Sequence, residues 1–273
     1  MSWIDLGRAA LRYRVEGEAG PVVVLLHEMA GALESWDGVV PHLAARRRVL
    51  RYDMRGAGQS ETLRADISVE AMADDLAALL DALGLTGPVG VVGNAVGAAV
   101  ALCFAGRYPA RTSAVAVMSA AVGVPPSERE ARLAFADRIT EVGMRGIEEV
   151  SLAGGYPEGL RRRAPERFAE FRARWLCNDP ASFRFVYRML VDMHIDPWLA
   201  RIACPVLGIG CTLDPVRTPA YVRAVIAKTA DHRFVEIESG HHTPVQTPEL
   251  VVGALLPFLD DVQPATGAAR RRA

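Results

Sequence analysis

Four cysteines in 273 residues are few, and their positions are scattered. Cys103, Cys177, Cys204 and Cys211 form no CxxC pair and show no metal-ligand spacing, which excludes a CxxC redox or zinc motif and fits reduced thiols in a cytoplasmic protein. No apolar run reaches membrane-spanning length, and no basic-then-apolar signal segment stands at the start, so no membrane partner is expected. Charge of one sign is also missing. A formal net charge of −1 argues against nucleic acid or an anionic surface as the main partner. Internal repeats are absent. The adjacent histidines His241 and His242 are not an H-E-x-x-H arrangement, and no metal or organic cofactor is implied. Oligomeric state leaves no mark on the sequence.

Half of the residues are hydrophobic (51%), enough for one large α/β domain. Trp3–Leu6 and Ala9–Val15 alternate as two strands of a hairpin joined at Gly7-Arg8. The runs Val22–Leu26, Val49–Tyr52, Val89–Val92 and Thr112–Ser119 read as strands, most of them buried on both faces. Between them lies an amphipathic helix from Ser68 to Leu83, with Gly84 as its cap. This alternation predicts a mostly parallel sheet flanked by helices. Pro125-Pro126 breaks the rhythm, and the chain then reads as helical to about Ile202. The sheet resumes at Pro205–Gly210 and Arg233–Ile237, and a last helix runs from about Thr247 to Leu259. The expected division is a core over residues 1–124 and 203–262, a helical cap over 125–202 and a mobile tail over 263–273.

One stretch organises the rest. The run Val89–Val92 ends at Gly93, and a helix of small residues begins at about Val96. Glycines at 93 and 97 flank a sharp turn whose tip is Ala95, the layout of a G-x-S-x-G nucleophile elbow with alanine at the serine position. A methyl group cannot attack a carbonyl. The same glycines are not a dinucleotide fingerprint, because they follow a late strand and lack the G-x-G. Other loops with unusual chemistry also follow strands: His27–Gly31, Asp53–Ser60, Asp214 and His241-His242. The order of elbow, acid and histidine is that of an α/β-hydrolase triad.

On these residues the chain resembles the α/β-hydrolase fold family over roughly Trp3 to Leu259. Within it, Val49–Tyr52-Asp53-x-Arg55-Gly56-x-Gly58-x-Ser60-Glu61 is most similar to the 3-oxoadipate enol-lactonases. The resemblance implies His241 as general base, Asp214 as the group that fixes its tautomer, and the N–H groups of Met29 and Val96 as an oxyanion hole. It implies His27 as a loop residue bonded to backbone, and Asp53 and Arg55 as fixers of their turn. Glu28 departs from the family, standing where a glycine is usual, and His242 adds a second imidazole. Glu28, Trp36, Trp175, Met189, Met193 and His242 are candidates to touch a substrate. Arginines and histidines of the cap are further candidates to hold a substrate carboxylate.

Three readings account for Ala95. In one, the chain is a serine-to-alanine form of a hydrolase of small carboxylic esters or lactones. In another, alanine is native and His241 with Asp214, aided by Glu28, performs acid–base chemistry without a covalent step, as a lyase, isomerase, decarboxylase or non-covalent hydrolase. In the third, the site binds a small molecule without transforming it.

Overall fold

The computed structural model describes residues 2–263. In chain order the elements are β1 (Ser2–Asp5), β2 (Ala10–Glu16), β3 (Val22–Leu26), α1 (Val40–Ala44), β4 (Arg48–Tyr52), α2 (Val69–Ala82), β5 (Val89–Asn94), α3 (Val96–Arg107) and β6 (Thr112–Met118). There follow five helices: α4 (Arg129–Gly155), α5 (Glu158–Arg163), α6 (Pro165–Leu176), α7 (Pro180–Asp192) and α8 (Asp196–Leu199). The chain closes with β7 (Val206–Cys211), α9 (Pro219–Ile226), β8 (His232–Ile237), α10 (Thr243–Gln246) and α11 (Pro248–Val262).

Among the described residues eight strands form one sheet, in the order β1-β2-β4-β3-β5-β6-β7-β8. The pairs β1–β2 and β2–β4 are antiparallel; the pairs from β4 through β3 to β8 are all parallel. Strand order reverses at β3, whose neighbours are β4 on one side and β5 on the other. Open α/β sheets bind ligands at the carboxyl ends of the strands flanking such a reversal. Register delivers the loops there together: Leu26 lies opposite Gly93, Asn94 opposite Met118, and Met118 opposite Ile209. The α/β-hydrolase fold expected from the sequence is the fold observed.

Burial explains the elements. Every residue of β5 and β7 is buried, because helices cover both sheet faces. One face packs on α2 and α3 through Leu76, Leu80, Val100 and Phe104, the other on α1 and α11 through Leu43, Leu255 and Phe258. Ser68 caps α2 by accepting from the Ala71 N–H at 3.1 Å, and Gly84 follows the helix at φ 66°.

The helical segment between β6 and β7 carries its own apolar cluster, including Ile139, Ile147, Leu152, Phe171 and Trp175, joined by Ala30 from the loop after β3 and Val245 from α10. Gly143, at φ 69° and ψ 176°, breaks α4 into two pieces. The end of the expected cap differs from the sequence reading. Ile195, Leu199 and Ile202 pack with α3 into the sheet-side cluster, so this stretch joins the core before residue 203. The tail also starts later than expected: Gln263 is buried and its Nε2 donates to Ser113 Oγ at 2.7 Å. Residues 264–273 lie outside the described residues.

Candidate functional site

Ala95 is the N-cap of α3, at φ 50° and ψ −114°. Left-handed backbone costs an alanine roughly 1–3 kcal/mol and persists only where the surroundings impose it. Here they do. A Cβ on Gly93 would run into the backbone of Gly97 and Ala98, and one on Gly97 into the carbonyl oxygens of Leu26 and His27. The strand and the helix therefore approach to a separation that only glycine permits. The Ala95 N–H donates to Met118 O at 3.0 Å, and its carbonyl accepts from Ala121 N at 3.0 Å. Gly97→Ala is expected to cost about 3 kcal/mol or more, since backbone on β3 would have to move. Urea unfolding measures this, and a variant of unchanged stability would contradict the packing described.

The loop after β3 turns on a Gly31 N–H to Glu28 O hydrogen bond of 2.9 Å, with Ala30 at φ 59°. His27 fixes it from within: Nε2 accepts from the Met54 N–H at 2.9 Å, so the ring proton sits on Nδ1 and is donated to Glu28 O at 2.7 Å. Asp53 and Arg55 do hold the neighbouring turn, but not through each other. Asp53 pairs with Arg12 at 3.1 Å and accepts from the Leu33 and Gln59 N–H groups, while Arg55 pairs with Asp75 at 2.9 Å. Val96 opens α3, where N–H groups lack intrahelical acceptors, and Met29 lies in the β3 loop across from it.

Asp214 and His241 meet. Asp214 Oδ2 lies 2.9 Å from His241 Nδ1, and Oδ1 accepts from the Val216 and Arg217 N–H groups at 2.8 and 3.0 Å. Burial alone would raise this carboxyl, but the hydrogen bond and charge of His241 and the Arg217 N–H outweigh it and hold it near 2. The His241 backbone is tied down as well. Its N–H donates to Gly155 O at 3.0 Å, and its carbonyl accepts from Asn94 Nδ2 at 3.1 Å, which joins the histidine loop to the elbow. With Nδ1 engaged, Nε2 is the ring atom left for chemistry.

Two residues in this network were not singled out by sequence. Ser119, one past the end of β6, is fully buried at φ 48°, and its hydroxyl helps to hold the Asp214 carboxyl low. Thr243 Oγ1 lies 3.2 Å from Cys211 Sγ and 3.4 Å from Ser119 Oγ. Their signal was position alone, at the carboxyl ends of strands, with no motif to mark them.

Glu28 and His242 are also brought together. Both are buried, and Glu28 Oε1 lies 3.9 Å from His242 Nδ1. The His242 ring packs 4.5 Å from Phe171 and 5.5 Å from His241, centroid to centroid. Burial, then the neighbouring His241, push His242 down to about 3. The unfolded chain thus takes a proton below about 6.5 that the folded chain refuses, so stability falls with pH from there toward 3. Asp214 adds in the same direction lower down, its contribution lost between 3.8 and about 2. Thermal melts from pH 8 to pH 4 should show this loss, up to about 1.4 kcal/mol per pH unit for one group, and His242→Gln should flatten it. An equal slope in that variant would contradict the assignment.

The remaining candidates divide. Met189 and Met193 pack with the apolar cluster that contains Ala95 and Val96, and Met29 bridges that cluster and the one holding Trp175. Trp36, expected near substrate, is instead a core residue: it is fully buried with Leu25, Val39 and Leu43 on the α1–α11 side of the sheet. A cavity of about 150 Å³ opens behind the β3 loop beside Ala30, Gly31 and Asn178. A larger hollow of about 480 Å³ near Gly17–Gly20 adjoins the amino end of β3, the wrong edge of the sheet for a site of this fold. Among the described residues no three acidic, histidine or cysteine side chains gather to hold a metal, and no helix is long and apolar enough to cross a membrane.

The chain matches the family described as the alpha/beta hydrolase fold over residues 21–142. It is 24% identical over 241 residues to the 3-oxoadipate enol-lactonase 2 of Acinetobacter baylyi, covering 88% of this chain and 89% of that one. Among solved structures it is similar to a thermophilic esterase from Thermogutta terrifontis, with 28% identity, a TM-score of 0.88, and 93% and 94% of the two chains covered. It is likewise similar to the enol-lactonase from Burkholderia xenovorans, with 26% identity, a TM-score of 0.88, and 94% and 99% covered.

Proposed function

Since this chain is a protein of the α/β-hydrolase fold, we propose that it is a hydrolase of small carboxylic esters or lactones in which Ala95 occupies the nucleophile position. The observation that carries this is the His241–Asp214 contact of 2.9 Å at the same sheet edge as an elbow that keeps φ 50° with no serine to present. His241 Nε2 is the general base, Asp214 holds the proton on Nδ1, and the N–H groups of Met29 and Val96 receive the oxyanion. With serine at 95 the sequence of steps is attack, acyl-enzyme and hydrolysis. With alanine the covalent step is lost, and His241 can only direct a water at the carbonyl, at a rate lower by orders of magnitude. Helices α4–α7 form a cap over this edge, with Met189, Met193 and Trp175 toward the substrate. The similarity to enol-lactonases supports a place in the breakdown of aromatic compounds, and the four free cysteines fit a reducing cytoplasm.

A second reading draws on Glu28. A buried carboxylate beside the oxyanion loop, paired with the missing serine, suits acid–base catalysis by His241 and Asp214 with no oxyanion intermediate. A paired assay of the chain and its Ala95→Ser form on aryl-ester and lactone substrates separates the two. Equal inertness of both forms would sink the hydrolase reading.

A further inference from the structure

Three small polar side chains are buried together near the carboxyl ends of β6 and β7, and the steps proposed above use none of them. Ser119, Cys211 and Thr243 are each fully buried. Thr243 Oγ1 donates to Gly240 O at 3.0 Å, and it lies 3.2 Å from Cys211 Sγ and 3.4 Å from Ser119 Oγ. A threonine hydroxyl has a single proton, and the Gly240 carbonyl takes it. Thr243 therefore only accepts at its other two contacts. Burial pushes the Cys211 thiol up to about 11, so it carries the proton that its contact with Thr243 needs. The Ser119 proton lies between Thr243 and the Asp214 carboxyl, which that hydroxyl helps to hold low.

Each of the three groups leads to a different part of the site. Ser119, left-handed at φ 48°, is the residue on which the chain turns after β6. That turn clasps the elbow: the Met118 carbonyl accepts from the Ala95 N–H, and the Ala121 N–H donates to the Ala95 carbonyl, both at 3.0 Å. Cys211 ends β7, and its carbonyl accepts from the Asp214 N–H at 3.1 Å. Thr243 opens α10, two residues after His241. Elbow, acid and base loops thus meet at one threonine oxygen. Packing alone does not call for this arrangement. Burying three polar groups costs free energy that apolar side chains of similar size would avoid, and a left-handed serine adds backbone strain.

We propose that Thr243 and Ser119 are positioning residues, a buried polar pin that sets the His241 ring against Asp214 and keeps both in register with position 95. The proposal rests on the ester or lactone reading only for the use made of that pair. The pin itself touches no substrate. Without it the imidazole is free to drift, and a displacement of about 1 Å costs roughly a hundredfold in rate.

Two measurements test it. The first uses the chain as it stands, labelled with ¹⁵N-histidine, and reads the two imidazole nitrogens of His241 by NMR at one fixed pH. In the parent chain the proton is expected on Nδ1, facing Asp214. Thr243→Val keeps the shape and removes the hydroxyl, and should give a mixture of tautomers. Thr243→Ser keeps the hydroxyl and should leave the proton on Nδ1. Ser119→Ala and Ser119→Gly lack the same oxygen but differ in backbone freedom, so both should mix the tautomers alike; they carry the test if Thr243→Val does not fold. The second measurement places the same changes in the Ala95→Ser form with p-nitrophenyl acetate. There kcat should fall about ten- to a hundredfold in Thr243→Val with KM little changed. Unmixed tautomers in Thr243→Val and Ser119→Ala overturn the proposal, even where turnover falls, because the loss would then have another cause. So does a mixture in Ser119→Ala that Ser119→Gly abolishes, which leaves Ser119 a backbone role alone, and so does a rise in KM at constant kcat. If Ala95→Ser is inert while the tautomers respond as expected, the hydrolase reading has failed and the pin stands.

Discussion

Ala95→Ser is expected to raise the hydrolysis of neutral aryl esters by about 10⁴- to 10⁶-fold. Loss of a triad nucleophile costs on the order of a millionfold in turnover, because base, nucleophile and acid act as one unit. The reverse change should recover most of that where the frame is already in place. The frame is in place here. Position 95 holds φ 50° without any serine, the flanking glycines fix the turn, and the added oxygen requires no backbone movement. A burst of p-nitrophenol, followed by a slower steady rate, would report the acyl-enzyme. A gain below tenfold would mean that His241 is not aimed at position 95, and the site would then be tested for proton transfer without a covalent step.

Asp214→Asn, made in the Ala95→Ser form, should remove about 10⁴-fold of the restored turnover. The geometry says why the isostere fails. Val216 and Arg217 both donate backbone N–H groups to Oδ1, so an asparagine would keep its amide oxygen there and turn its NH₂ toward His241. Nδ1 would then have to accept, the ring proton would move to Nε2, and the base would be lost. Folding should survive, since size and shape are unchanged. A loss smaller than tenfold, with a normal melting temperature, would show that the His241–Asp214 contact has no part in turnover.

The positions of Asp214 and His241 could be read from the sequence, and the surroundings of Glu28 could not. The elbow could be read because Gly93 and Gly97 are local to one turn, and Asp214 and His241 because each follows a strand in a fixed order. The strands themselves were plain, being apolar runs buried on both faces. What escaped depends on contacts between distant segments. Glu28 lies beside His242, more than two hundred residues away, and the His242 ring in turn packs on Phe171 from the helical segment. Trp36 was misplaced because an aromatic residue ten positions after a buried strand can turn to either side of the sheet, and only the packing of α11 decides that it faces the core. Asp53 and Arg55 were rightly read as loop fixers, yet their partners, Arg12 and Asp75, lie on elements that no spacing rule connects to them. Ser119 was missed because left-handed backbone at a serine has no compositional sign.

The shape of the turn at residue 95 owes nothing to the side chain it carries. Gly93, Gly97 and the hydrogen bonds to Met118 and Ala121 determine it, and alanine sits there as a passive occupant. The position is in that sense a mount. Cysteine, threonine or aspartate placed on it would be aimed at the same bound carbonyl from the same direction, so nucleophiles of different reactivity could be compared in one unchanged scaffold.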